Sequence, residues 1–282
     1  MDKKISDFDY FIFDLDGTLL NNNRQVTQNT KEALLKLKTL GKKVIIATGR
    51  PYYMNRELFT SLEISDPLIA INGSTIVLNW QKDEVEILGK LDHDEAKQIT
   101  KYFETNQIDY LSYTKTKMFG QNFNHPSWFD LRIYPYQDVK HPNHWDYEQI
   151  SFYKVLEQDS EINVLKLLVL REKVQNKIPD LLEFLKQFKN LYVVASQSNV
   201  LDIMPLNQNK GNAIKKLFAE QNWDLKRAVA FGDALNDIEM LKTVGYSVAM
   251  GNAHEKVQSI ADYVTDTNEN EGVAKFINLI TK

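Results

Sequence analysis

The sequence predicts an α/β protein, a doubly wound and mostly parallel sheet interrupted by an inserted α+β domain. Three observations carry that expectation. Short runs at residues 10–13, 44–47, 68–71, 228–231 and 247–250 are almost continuously apolar, as are strands covered on both faces of a parallel sheet. Patterns with helical spacing lie between them, so strand and helix alternate and right-handed crossovers follow. From about residue 83 to residue 205 that alternation stops and the pattern becomes mixed.

Along the chain, the first run ends in Asp14-Leu15-Asp16-Gly17-Thr18. The helix after it starts at Thr27, a good capping residue, sets Ala33, Leu34, Leu37 and Leu40 at helical spacing, and stops at Gly41. The second run ends in Thr48-Gly49-Arg50 and the third in Asn72-Gly73. The middle segment holds helical patterns at 92–106 and 179–188 and strand-like runs at 164–170, 191–195 and 200–204. It also holds an aromatic, proline-containing stretch at 128–145 that reads as loops and short strands. A helix at 212–218 then leads to the fourth run, which ends in Gly232-Asp233-Ala234-Leu235-Asn236-Asp237. Another helix, with Ile238, Met240 and Leu241, runs towards Gly245, and the fifth run ends in Gly251-Asn252. The expected division is a core of residues 1–82 and 207–282 around an inserted domain of residues 83–206. No repeat at a solenoid period and no low-complexity tract is visible.

Composition narrows the functional classes. The chain has 282 residues, 43% hydrophobic and 26% charged, enough for a sizeable core. With 34 basic and 38 acidic residues the net charge is −4, so no overall field favours nucleic acid or an anionic membrane, and a small anionic ligand needs a local trap. There is no cysteine, which excludes disulfides, thiolate metal sites and cysteine nucleophiles. The first residues lack the apolar segment of a signal peptide, and no stretch approaches ~18 uninterrupted apolar residues, so a cytoplasmic protein is expected. The sequon Asn72-Gly73-Ser74 then carries no glycan. The segment AHEKV is not HExxH and no GxxxxGK[ST] loop occurs, so zinc peptidase and P-loop readings fail. His125, His141 and His144 include the spacing HPNH, but Pro142 works against a helical histidine pair and no metal role is expected. His93 opens an acidic helix start. Trp128, Phe129, Tyr134, Tyr136, Trp145 and Tyr147 fit either a stacking surface or, more commonly, domain core.

In an open α/β sheet, ligands bind beyond the carboxyl ends of the strands. Each apolar run here ends in polar or small residues, and five such endings would meet in one crevice. Asp14, Asp16, Asp233 and Asp237 would then share it, and like charges ~4 Å apart repel by roughly 4 kcal/mol at an effective dielectric of ~20. They need a cation or protons. Oxygen-only ligands favour a hard ion such as Mg²⁺, which uses one or two carboxylates, waters and a substrate phosphate. A carboxylate beside that ion can attack phosphorus, a role suited to Asp14. An acid two residues on cannot reach the same atom from the same direction, but can protonate the leaving oxygen and later deprotonate water, a role suited to Asp16.

DLDGT after a strand, TGR after the second, an isolated Lys-Gly before a helix and GDALND after a later strand resemble the four motifs of the haloacid dehalogenase superfamily of phosphohydrolases. The large insertion after the second motif, with NAHEKV and ADYVT after the fourth, is similar to the Cof-type subgroup (subfamily IIB), which carries a C2B-type α+β cap on a Rossmann-like core. The resemblance covers residues 1 to about 82 and about 207 to 282. It implies Asp14 as nucleophile, Asp16 as general acid and base, Thr48 as a ligand of a phosphoryl oxygen and Lys210 as the balancing cation. Charge logic supports Lys210 independently, since a phosphoryl group in transfer gains most from fixed cations and backbone donors. The resemblance further implies that Asp233 holds Mg²⁺ with the Asp14 carboxylate and the Asp16 backbone carbonyl, while Asn236 and Asp237 support the metal and phosphate shell. Gly49, with Gly17, serves a tight turn that brings amides towards phosphate, and Arg50 either contacts substrate or pairs with an acid. The loop before Lys210 reads LNQNKG, where many relatives have a Gly-Val-Ser type run. The implied activity is a Mg²⁺-dependent phosphatase of small phosphorylated metabolites, sugar phosphates first and phosphorylated cofactors such as FMN or pyridoxal phosphate behind them. A phosphotransferase resembling phosphomannomutases is the alternative. A non-catalytic module is disfavoured because every proposed catalytic position is filled, and a P-type ATPase would lack an acid at Asp16 and need membrane helices.

Overall fold

The structure is a computed structural model that describes residues 3–124, 126–141, 144–197 and 199–282, with the backbone alone at 126–128, 196 and 197. Contacts divide the chain into two units. The first comprises residues 1–50, 58–86 and 209–282, and the second comprises residues 51–57 and 87–208.

The first unit starts with β1 (Tyr10–Phe13), in which Phe11, Ile12 and Phe13 are fully buried. Burial of each such side chain contributes about 1.5–3 kcal/mol, and sandwiching on both faces explains the unbroken apolar run. Thr27 caps α1 (Gln28–Thr39) by accepting from the Thr30 amide, and the helix buries Thr30, Ala33, Leu34 and Leu37. Leu40, expected on that stripe, lies past the last turn and is exposed. Next come β2 (Lys43–Ile46), α2 (Arg56–Ser61), β3 (Leu68–Ala70), β4 (Thr75–Asn79) and β5 (Glu84–Ile87). The antiparallel pair β3–β4 and its neighbour β5 form a small sheet of their own, and Ala47 just past β2 bridges in parallel to Ile69 of β3.

The second unit contains α3 (His93–Thr105), β6 (Tyr110–Tyr113), β7 (Lys117–Gln121), α4 (Pro126–Arg132), β8 (Asp146–Gln149), α5 (Phe152–Gln158), β9 (Lys166–Leu170), α6 (Ile178–Leu185), β10 (Leu191–Gln197) and β11 (Val200–Pro205). Its six-stranded sheet has the order β10-β11-β9-β6-β7-β8. All pairs are antiparallel except β7–β8. Tyr110, Phe119, Leu167, Val169, Leu201 and Ile203 pack with Ile99, Phe103, Phe152 and Leu181 into this unit's own core. The acidic start of α3 is built as expected, with the Asp92 side chain accepting from the Asp94 and Glu95 amides.

The chain then returns to the first unit with α7 (Lys210–Glu220), β12 (Ala228–Gly232), α8 (Ile238–Thr243), β13 (Tyr246–Ala249), α9 (Glu255–Gln258), β14 (Tyr263–Val264) and α10 (Gly272–Ile280). Five strands form a parallel sheet in the order β14-β13-β12-β1-β2. From β1 the chain winds outward to β2, and from β12 it winds the other way to β13 and β14. The winding therefore reverses between β1 and β12, and the crevice beyond their carboxyl ends is the switch point at which such sheets bind ligands. Among the described residues, no helix is long and apolar enough to cross a membrane.

Candidate active site

Both strands at the switch point end in aspartate. Asp14 follows β1, its amide donating to the Phe231 carbonyl, and Asp233 follows β12. Lys210, the first residue of α7, is fully buried and spans the pair of loops. Its Nζ donates to Asp14 Oδ1 at 2.5 Å and to Asp237 Oδ1 at 2.6 Å. The helix start that carries it is fixed by Asn209, whose side chain accepts from the Asn212 amide. LNQNKG thus places a lysine at a capped helix terminus. Asp237 uses its second oxygen to accept from the Asp233 and Ala234 amides, both at 3.0 Å, which closes the turn after β12.

Asp14, Asp233 and Asp237 bring carboxylate oxygens within 4.8 Å of one another, and among the described residues they are the one histidine, cysteine or carboxylate group that could hold a metal ion. Burial pushes the Asp14 carboxyl up to about 7; Lys210 pulls against that shift, while Asp237 and Asp16 add to it. Burial, then Asp14 and Asp237, push Asp233 up to about 8. For Lys210, burial acts to lower the pKa, but the two carboxylates outweigh it and leave the ammonium above its ordinary value. One lysine is thus insufficient for three clustered acids, two buried and one half-buried. An oxygen-only set that still favours protons suits a hard divalent ion.

The remaining expected residues stand in the loops that follow β1, β2 and β12. Thr48 is buried and its Oγ1 accepts from the Arg50 amide at 3.1 Å. Arg50 pairs with an acid, and the acid is Asp16: Nε lies 2.8 Å from Oδ2 and a terminal nitrogen 2.5 Å from Oδ1. Gly49 lies against the Asn72 amide. Asn236 is buried, donating from Nδ2 to Asn72 Oδ1 at 2.9 Å.

Three further residues shape the site. Thr18 Oγ1 donates to Asp233 Oδ1 at 2.9 Å, and Asn252 Nδ2 donates to the Gly17 carbonyl at 2.9 Å. Gly17 itself has φ +82°, and a Cβ there would meet Asp233 Oδ2 at 2.3 Å, so only glycine lets this loop lie on that carboxylate. The third is Asn72. All three stood at strand ends in the sequence, where such residues read equally as turn formers.

The inserted segment supplies no second cluster among the described residues. His141 stacks edge-on against Tyr136, and His144 Nδ1 lies 2.9 Å from the Tyr136 carbonyl. His125 and the Trp128 side chain lie outside the described residues. Phe129 and Trp145 are buried, Tyr134, Tyr136 and Tyr147 half-buried.

A family model described as haloacid dehalogenase-like hydrolase matches residues 11–277. The 5-amino-6-(5-phospho-D-ribitylamino)uracil phosphatase YcsE of Bacillus subtilis is 30% identical over 96% of this chain and 95% of its own length. The pyridoxal phosphate phosphatase YbhA of Escherichia coli is 28% identical over 94% of this chain and 95% of its own. Among solved structures, a haloacid dehalogenase-like hydrolase from B. subtilis superposes with a TM-score of 0.83 at 26% identity, covering 96% of this chain and 99% of that one.

Proposed function

The chain belongs to the haloacid dehalogenase-like hydrolases and is a phosphoric monoester hydrolase of that family, and from that premise we propose that it is a Mg²⁺-dependent phosphatase of small phosphorylated metabolites working through an aspartyl phosphate on Asp14. The observation that carries the reading is Lys210, buried between Asp14 and Asp237 with Asp233 beside them at the switch point.

The donor set fits Mg²⁺, since all three side chains offer oxygen and burial holds two of them towards their protonated forms. Asp14 and Asp233 would hold the ion with the Asp16 backbone carbonyl, and Asp237 would support them. When bound, the ion would neutralise the carboxylates and draw charge from the phosphoryl oxygens. Lys210 occupies one oxygen of Asp14, leaving the other to attack phosphorus. As that bond forms, the bond from phosphorus to the ester oxygen breaks, and Asp16 gives its proton to the departing oxygen. Asp16 then takes a proton from water, whose oxygen attacks the phosphorus of the aspartyl phosphate and restores Asp14. Because Arg50 holds both oxygens of Asp16, the acid step requires that pair to open. The Thr48 hydroxyl, the amides near Gly49, Arg50 and Lys210 bind the phosphoryl oxygens, and Asn236 supports the shell.

Sugar phosphates head the substrate reading. Phosphorylated cofactors and their precursors form a second reading, favoured by the names of two relatives, one a phosphatase of a ribitylaminouracil phosphate and one of pyridoxal phosphate. Inorganic phosphate released from a panel of sugar phosphates, nucleotides, FMN and pyridoxal phosphate, with Mg²⁺ and with EDTA, tests both. Metal-dependent release from one group supports the phosphatase and identifies its substrates. Exchange of phosphate between hexose positions without release would instead mean a phosphotransferase.

A further inference from the structure

The turn at residues 71–73 is absent from the chemistry above, yet it touches three of the loops that carry it. The Ile71 amide donates to the Arg50 carbonyl and the Asn72 amide to the Thr48 carbonyl. The Gly73 backbone lies so close to the loop before α7 that a Cβ would stand 2.2 Å from the Asn209 carbonyl oxygen. The Asn72 side chain reaches Asn236 in the loop after β12. The backbone conformation is unusual as well, with φ +51° at Ile71, +53° at Asn72 and +96° at Gly73. A β-branched residue in the left-handed region is a genuine outlier, and strain of this kind persists where the surroundings hold it and gathers at functional sites.

A second feature is independent of that strain. Asn236 Oδ1 is buried and accepts no hydrogen bond, and an unsatisfied buried acceptor in a native structure calls for an explanation. Since Nδ2 of Asn236 donates to Asn72 Oδ1, the Asn236 oxygen takes its hydrogen from a partner other than Asn72. A phosphate dianion offers no hydrogen to that oxygen. Water bound to a cation does, and Mg²⁺ retains several such waters.

We infer that Asn72 is a positioning residue: its side-chain oxygen holds the Asn236 amide so that Asn236 Oδ1 accepts from the water shell of the ion at Asp14 and Asp233. This inference rests on the proposed Mg²⁺ site. Partners that orient groups around a metal typically govern affinity by about 10–100-fold.

The test is Mg²⁺ binding by isothermal titration calorimetry to wild type, Asn72→Asp, Asn72→Gly, Asn236→Ala and the Asn72→Gly/Asn236→Ala double variant, each checked for an intact fold by circular dichroism. Aspartate keeps the acceptor and tolerates a positive φ, whereas glycine keeps the backbone conformation and removes the amide. The expected result is a Kd within about three-fold of wild type for Asn72→Asp and raised about ten-fold or more for Asn72→Gly. In the Asn236→Ala background, Asn72→Gly should add less than about two-fold, because a residue acting through Asn236 has nothing left to orient. An Asn72→Gly protein that binds like wild type, a weakened Asn72→Asp protein, or an undiminished Asn72→Gly effect without Asn236 would each overturn the inference. Wild type that binds no Mg²⁺ would overturn the proposed metal site and the inference together, and so differs from the inference failing alone.

Discussion

At the scale of single residues, Asp14 and Asp16 stand one residue apart and face different surroundings. Asp14 is buried against Lys210, whereas Asp16 is a quarter exposed and paired with Arg50. The proposed chemistry therefore separates them in a measurable way. Asp14→Asn replaces the attacking carboxylate with a non-nucleophilic amide and should lower kcat more than about 10³-fold on every substrate, leaving only the contribution of binding and electrostatics. Asp16→Asn should cost about 10²–10⁴-fold on alkyl phosphates, whose leaving oxygens need a proton, and far less on p-nitrophenyl phosphate. Equal losses on both substrate types would remove Asp16 as the acid. Lys210→Met gives a third test, on stability. The substitution leaves Asp14 and Asp237 buried without their cation, and breaking such a group costs about 3–5 kcal/mol. Urea unfolding at pH 7 should show the midpoint fall accordingly, whereas an unchanged midpoint would mean that the carboxylates simply take up protons.

At the scale of elements, the ends of the central strands are tied together opposite the site. The Asp9 amide donates to the Arg227 carbonyl before β12, and its own carbonyl accepts from Lys43 at the start of β2. Its side chain pairs with Arg227 and Lys42. The Arg227 guanidinium, with Lys42, holds the Asp9 carboxyl down at about 2, against a partial opposing effect of burial. A depressed carboxyl stabilises the fold above its unfolded pKa and loses that contribution as pH falls through its folded value. Asp9→Asn should therefore lower stability at pH 5–7 by under about 1 kcal/mol, because the group is exposed and screened, and the deficit should vanish as pH approaches 2. A deficit that persists at pH 2 would assign the effect to packing. The same elements show what could be read in the sequence. β1, β2, β3, β12 and β13 were legible because burial on both faces leaves an unbroken apolar run, and the Asp, Thr and Asn endings were legible because they interrupt it. The hairpin of β6 and β7 was not, since Ser112, Thr114 and Lys117 punctuate YLSYTKTKMFGQ although Ser112 is fully buried. β14 has two residues, too few for any period. Asn72 and Thr18 read locally as turn residues, and only the approach of Asn236 and Asp233 from far along the chain gives them a partner. The grouping of residues 51–57 with the second unit is likewise a long-range matter, with Tyr53 packing on Trp145.

At the scale of the whole molecule, the chain holds two cores of different construction, a parallel sheet wound in both directions and an antiparallel sheet with its own helices. The residues assigned to the ion, Asp14 and Asp233 with support from Asp237, all belong to the first unit. A ligand that binds the native state alone stabilises what it binds, by about 2.7 kcal/mol at a hundred times its Kd. For a unit of this size that corresponds to a rise in Tm of roughly 5–10 °C. Calorimetry with saturating Mg²⁺ should show that rise and EDTA should reverse it. If the two units unfold in separate steps, only the step belonging to the parallel sheet should move. Asp233→Asn provides the control, because it removes one carboxylate from the cluster and should abolish the shift while removing the group that Asp14 pushes towards its protonated form. An equal Mg²⁺ shift in wild type and Asp233→Asn would mean that the ion acts elsewhere on the molecule. No shift in the variant would tie the stability of the parallel sheet to the cation at its switch point.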